Sequence, residues 1–223
     1  MNRLLTILGT VMVLAGAGYL FNGSNGSSVP AGLPFVSPAN AQDAAEVDFS
    51  QIKEMALGAE DAPVTLIEYA SYTCPHCARF HAGAYAEIKK NYVDTGKVRF
   101  IYREVYFDRY GLWASMVARC EPSKFFGIND LIYAGQSEWT RAGGPAEIVD
   151  ELRKMGRLAG IDGETLEACL QDGDKARSLV AWYQHNAEAD DVTATPSFVL
   201  NGRKVSNQSY EEFVRMLDAE IGS

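Results

Sequence analysis

Two thiols three positions apart, in Cys74-Pro75-His76-Cys77, are the residues of this chain best suited to chemistry. The thiolate is the reactive form of cysteine, and a dithiol at this spacing can hold a disulfide, pass it to another thiol and take it back. A strand-like run precedes Cys74 and a helical pattern follows it, which sets Cys74 at or just before the first helical turn. There the unpaired amide N–H groups and the helix dipole favour a negative sulfur, so Cys74 is the expected nucleophile. Pro75 in the first helical position forfeits no intrahelical hydrogen bond, and His76 can add positive character beside the thiolate. Cys77, one turn on and expected to be less exposed, is placed to resolve a mixed disulfide. Each unit by which the Cys74 pKa falls corresponds to about 1.4 kcal/mol of thiolate stabilisation, which favours the reduced dithiol and makes the disulfide oxidising.

Other chemistries fit the sequence less well. Zinc could use the same pair with His81, four residues beyond Cys77, but Cys120 and Cys169 are distant and sit in helical patterns, so no metal site is expected. A purely structural Cys74–Cys77 link would close too small a ring to restrain the unfolded chain much. His81 and His185 read as ordinary surface or half-buried side chains. No Ser/His/Asp set, phosphate loop or carboxylate pair has persuasive spacing, and no cofactor is implied.

The chain has 223 residues, 47% hydrophobic and 22% charged, enough for one good core or two small ones. Its net charge of −9 opposes phosphate backbones and anionic membrane surfaces, so nucleic acid is not an expected partner. Met1-Asn2-Arg3, the apolar Leu4 to Phe21 and the small-x-small Ala39-Asn40-Ala41 read as a signal peptide over residues 1–41. An earlier cut after Ala17 stays open. So does an uncleaved inner-membrane anchor through residues 4–21, followed by a Gly/Ser- and Pro-rich linker. Either reading places the remainder outside the cytoplasm.

The elements that must position the dithiol follow from periodicity. Val64 to Tyr69 reads as a buried strand, Cys77, Phe80, Ala84, Ile88 and Tyr92 as one side of a helix closed by Gly96, and Val98 to Tyr102 as a second strand. The three make a right-handed β-α-β unit with parallel strands. The next eighty residues carry only helical patterns, with Asp162 and Asp174 as expected caps. Ser197 to Leu200, Asn201-Gly202 and Arg203 to Ser206 then read as a hairpin before a final helix from about Tyr210 to Ile221. The fold class is therefore α/β. Its core comes from residues 42–108 and 191–223, interrupted by a helical insertion at 109–190.

At this point the sequence resembles the DsbA-like branch of the thioredoxin superfamily, exported thiol:disulfide oxidoreductases with a thioredoxin-like fold and an all-helical insertion domain. The likeness rests on Asp61-Ala62-Pro63-Val64-Thr65 with Glu68, on the dithiol, and on Thr195-Pro196-Ser197-Phe198-Val199-Leu200-Asn201-Gly202, in the family's order across residues 57 to 221. By that resemblance Pro196 is a cis-proline facing the dithiol, and the Thr195 backbone pairs with an extended substrate peptide. Glu68 matches a buried acid beneath the disulfide, a proton acceptor for Cys77. Read without the family, Pro196 is a trans turn proline and Glu68 a strand carboxylate with a polar partner. Cys120 and Cys169 are additional to the best-known member's pattern. In an oxidising compartment they form a bridge, with two buried free thiols as the alternative.

The resulting expectation is a periplasmic oxidoreductase that introduces disulfides into reduced secreted polypeptides. The resemblance adds reoxidation by a membrane quinone-linked thiol oxidase. Thr195, where that member has valine, keeps disulfide isomerisation or reduction open, and a metal-binding or peptide-holding module is the non-enzymatic alternative.

Overall fold

The computed structural model describes residues 47–222. The signal-peptide and anchor readings at 1–41 and 4–21 lie outside them. Among the described residues no helix is long and apolar enough to cross a membrane.

Five strands form one sheet: β1 (Met55–Leu57), β2 (Val64–Ala70), β3 (Val98–Glu104), β4 (Ser197–Leu200) and β5 (Arg203–Val205), in the order β1-β3-β2-β4-β5. β2 and β3 run parallel and are joined by helix α1, while β4 lies antiparallel on the other side of β2. β1, unforeseen in the sequence, pairs antiparallel with β3. Three residues are too few to carry an alternation signal. The hairpin turn falls on Asn201 and Gly202, at φ 47° and 79°, the two left-handed positions that the Asn-Gly pair accommodates.

Helix α1 spans residues 75–93 and alternates between α-helical Pro75–Phe80 and Ala86–Ile88 and π-helical His81–Tyr85 and Lys89–Val93. A π turn takes one more residue than an α turn, so the inward face after Phe80 broadens to take in His81 and Tyr85. Cys77, Phe80, Ile88 and Tyr92 are buried as expected and Ala84 packs half-buried against the same core, while Tyr85 and His81 widen that face.

Between β3 and β4 lie α2 (Arg109–Ala118), a 3₁₀ turn (Pro122–Lys124), α3 (Phe125–Ala134), α4 (Gln136–Trp139), α5 (Pro145–Leu158), α6 (Gly163–Gln171) and α7 (Gly173–Ala189). The last helix is α8 (Tyr210–Ile221). Asp162 caps α6 by accepting from Thr165 N–H at 2.9 Å. The cap of α7 is Asp172, which accepts from Lys175 N–H at 2.8 Å. Asp174 is already inside that helix, where its backbone cannot serve as a cap.

Sheet and helical block share one core. Leu66 and Phe100 of the sheet belong to the same buried cluster as Ile128, Leu152 and Leu166 of the helices. A buried ion pair adds a second tie: the Arg119 guanidinium, just beyond α2, grips the Glu104 carboxylate of β3 through Nε at 2.5 Å and Nη2 at 2.7 Å. Its Nη1 donates to Lys53 O at 2.8 Å, and Phe125 and Trp182 flank the guanidinium. Such a pair stabilises mainly by being complete, since either partner alone would be an uncompensated buried charge.

Cys120, just beyond α2, and Cys169 of α6 form a disulfide with Cα atoms 5.6 Å apart. Their sequence separation of 49 makes the loop long, and the chain-entropy model gives about 4 kcal/mol for closing it. Replacing both by alanine should lower the unfolding free energy in urea by about 2–4 kcal/mol. The reactivity of Cys74, which lies on another element, should not change.

Candidate active site

Cys74 occupies the N-cap position of α1 in extended backbone, φ −85° and ψ 117°, with Pro75 in the first helical position. The carbonyl of Cys74 accepts from Ala78 N–H at 3.2 Å, so the helix is closed onto the residue that carries the reactive sulfur. The thiol itself is half-buried and donates to the Thr195 carbonyl at 3.4 Å. Thr195 precedes Pro196 through a cis peptide bond, and the contact from Cys74 to Thr195 sets the loop entering β4 against the mouth of α1.

The Cys74 pKa is lowered to about 5. The Cys77 thiol contributes most, against the opposing cost of burial, and the Thr195 side chain and the backbone N–H groups of Cys77 and His76 add to it. Thr195 Oγ1 is buried and has no hydrogen-bond partner in this structure. It becomes a donor to the sulfur once the thiol has lost its proton.

Cys77, one turn further along α1, has the opposite environment. Its residue is fully buried. Burial, then the hydrogen bond to Cys74 and the negative charge of Glu68, push its thiol far above the ordinary range. One sulfur is thus an anion at neutral pH and the other holds its proton, the division of labour between an attacking and a resolving thiol.

Around this pair the structure adds residues that periodicity did not single out. Gln136, at the start of α4, donates through Nε2 to Tyr72 O and Cys74 O, both at 2.8 Å, and clamps the loop before the helix. Thr73 Oγ1 donates to Asp108 Oδ2 at 2.7 Å, while Asp108 caps α2 by accepting from Tyr110 and Gly111 N–H. His76 is exposed, and its Nδ1 lies 2.7 Å from Arg79 Nη2, so its side chain is drawn toward Arg79 while its backbone amide serves Cys74. Glu68 is fully buried on the central strand β2, in register with Tyr102 of β3 and Phe198 of β4.

His81 is a correction to the sequence reading. It is buried, with Nε2 2.9 Å from Glu68 Oε2 and its ring stacked on Tyr133 at 4.1 Å. The signal was its position four residues after Cys77, which places both on one face of a helix. His185 is exposed, with its ring beside Phe49. Among the described residues no group of three or more His, Cys, Asp or Glu side chains could hold a metal ion.

This geometry has relatives. The family model described as Thioredoxin matches residues 50–219. The chain belongs to the thioredoxin family. Its likeness is to the DsbA-like thiol:disulfide oxidoreductases within it: the crystal structure of alpha-DsbA1 from Wolbachia pipientis superposes with a TM-score of 0.71 at 26% identity, covering 76% of this chain and 92% of that one. A putative protein-disulfide oxidoreductase of Rickettsia bellii is 32% identical over 170 residues, 75% of this chain and 64% of the relative. This chain thus spans somewhat under two thirds of that relative's length. Disulfide bond formation protein D of Bacillus subtilis is 27% identical over 175 residues, covering 74% of this chain and 76% of that protein.

The lowered pKa sets a pH profile for Cys74. Its alkylation rate should be flat from pH 7 down to about 6 and fall tenfold per unit once the pH drops below about 5, as the thiolate takes up a proton. Thr195→Val removes a donor to the anion and should move that midpoint upward, which rapid alkylation followed by mass spectrometry measures.

Proposed function

We propose that the chain is an exported thiol:disulfide oxidoreductase that donates the Cys74–Cys77 disulfide to reduced polypeptides. The observation that carries this reading is the placement of Cys74 Sγ at a helix mouth, 3.4 Å from the Thr195 carbonyl of the cis-proline loop. The loop's backbone gives an extended peptide a strand-like edge beside the sulfur.

In the forward step a substrate thiolate attacks Cys74 Sγ of the oxidised protein. A substrate–Cys74 disulfide forms, the Cys74–Cys77 bond breaks, and the electron pair leaves on Cys77, which takes a proton. A second substrate thiolate then attacks the substrate sulfur of the mixed disulfide, and Cys74 departs as a thiolate. Two substrate thiols are oxidised and the dithiol gains two electrons. The low pKa of Cys74 makes it the better leaving group and stabilises the reduced protein, so transfer runs toward the substrate.

Reoxidation is assigned to a membrane quinone-linked thiol oxidase, on the family resemblance. The export reading of residues 1–41 and the Cys120–Cys169 disulfide agree with an oxidising compartment. Isomerisation or reduction is the second reading, favoured by Thr195 beside the cis-proline. It requires the dithiol to rest reduced in cells.

Cys74→Ser should abolish oxidation of a dithiol peptide. Cys77→Ala should accumulate mixed disulfides with substrate, detectable by non-reducing electrophoresis. Undiminished turnover by Cys74→Ser would refute the assignment. A Cys74/Cys77 pair found mostly reduced by alkylation in intact cells would shift it to the isomerase or reductase reading.

A further inference from the structure

Disulfide exchange through this dithiol requires Cys77 to gain a proton when the disulfide opens and to lose it when the disulfide re-forms, yet the residue is sealed from solvent. Its charged neighbour Glu68 is sealed as well and holds His81 through Oε2. Two atoms of that buried pair, Glu68 Oε1 and His81 Nδ1, have no hydrogen-bond partner. Unsatisfied polar atoms at this depth are rare and costly, and a role in proton exchange accounts for them.

The ring of His81 also lines a cleft of about 400 Å³ between α1 and α3. Tyr133 lines it beside His81, and the exposed Lys90, Asp94 and Asp130 also line it. Cys74, Thr195 and Pro196 do not, so the cleft is separate from the face where a substrate peptide would sit. The other ionisable groups around His81 are Tyr85 on α1, Tyr102 on β3, Tyr133 and Asp130 on α3, and Lys89 on the cleft wall. Burial keeps the three tyrosines protonated. Glu68 and His81 are the pair left to carry a proton inward.

We propose that His81 is a relay residue that moves protons between the solvent in this cleft and Cys77 by way of Glu68. When the incoming thiolate breaks the Cys74–Cys77 bond, the Glu68 carboxylate takes the His81 Nε2 proton and passes it to the Cys77 sulfur. His81 Nδ1 takes a proton from the cleft in its place, and Glu68 ends as the carboxylate it was. One proton enters from solvent and one ends on Cys77. Re-forming the disulfide runs the sequence backward and restores the original tautomer of the ring. The proposal rests on the oxidoreductase reading and adds a back-door path to it.

The test is single-turnover reduction of the oxidised protein by a dithiol peptide, followed by rapid quench across pH in H₂O and D₂O. His81→Phe keeps the ring against Tyr133 but removes both nitrogens, and Ala86→Trp fills the cleft from an exposed position on its wall. Both variants should slow the step by about a hundredfold, the lower end of what a positioned proton transfer contributes. Both should raise the solvent isotope effect and leave Cys74 alkylation unchanged. A wild-type rate and isotope effect in either variant overturns the relay, and Ala86→Trp alone decides if His81→Phe does not fold. Failure of the wild-type protein itself to accept electrons from the peptide would instead sink the oxidoreductase reading.

Discussion

An anionic sulfur half-buried in protein is costly unless donors stand ready around it, and the fold supplies them at one point, the mouth of α1. The amides of His76 and Cys77 face Cys74 because the helix begins there, with Pro75 fixing its first turn. Burial works against the charge, and the Cys77 thiol with those amides outweighs it. Everything else in the structure either holds this mouth in place or brings a partner up to it.

Holding it in place is largely the task of the helical block. Gln136 fastens the loop before Cys74 from one side, and Asp108, anchored as the cap of α2, fastens Thr73 from the other. The Glu104–Arg119 pair and the shared apolar core keep that block from sliding against the sheet. A dithiol on a freely moving loop could have the same sequence, but it would lack fixed donors and its sulfur would titrate near the ordinary thiol value.

The two cysteines show how steeply the environment changes over one helical turn. Cys74 meets amide donors and the cis-proline loop, whereas Cys77 meets apolar packing and the negative charge of Glu68. Placing a carboxylate under the second thiol keeps that thiol protonated until its proton has somewhere to go. The π turn beginning at His81 matters here, because it turns both His81 and Tyr85 inward beneath the sheet.

Much of this was legible in the sequence. The strand-to-helix position of Cys74 to Cys77, the parallel β2–β3 unit and the Asn201-Gly202 hairpin all follow from local rules, since residue type and period fix them within a few positions. The cis bond before Pro196 and the burial of Glu68 came only through family resemblance, because a proline's isomer and a carboxylate's depth depend on distant packing. Gln136, Asp108 and His81 carried no local signal strong enough to assign a role. By itself the sequence determined which atoms could exchange a disulfide and which sulfur would sit at a helix start. Only the tertiary structure decided that residues 62 and 121 positions away, Gln136 and Thr195, close around that sulfur. The reason is that periodicity reports which way a side chain points from its own element, whereas the field at an atom is set by whatever the whole chain packs beside it.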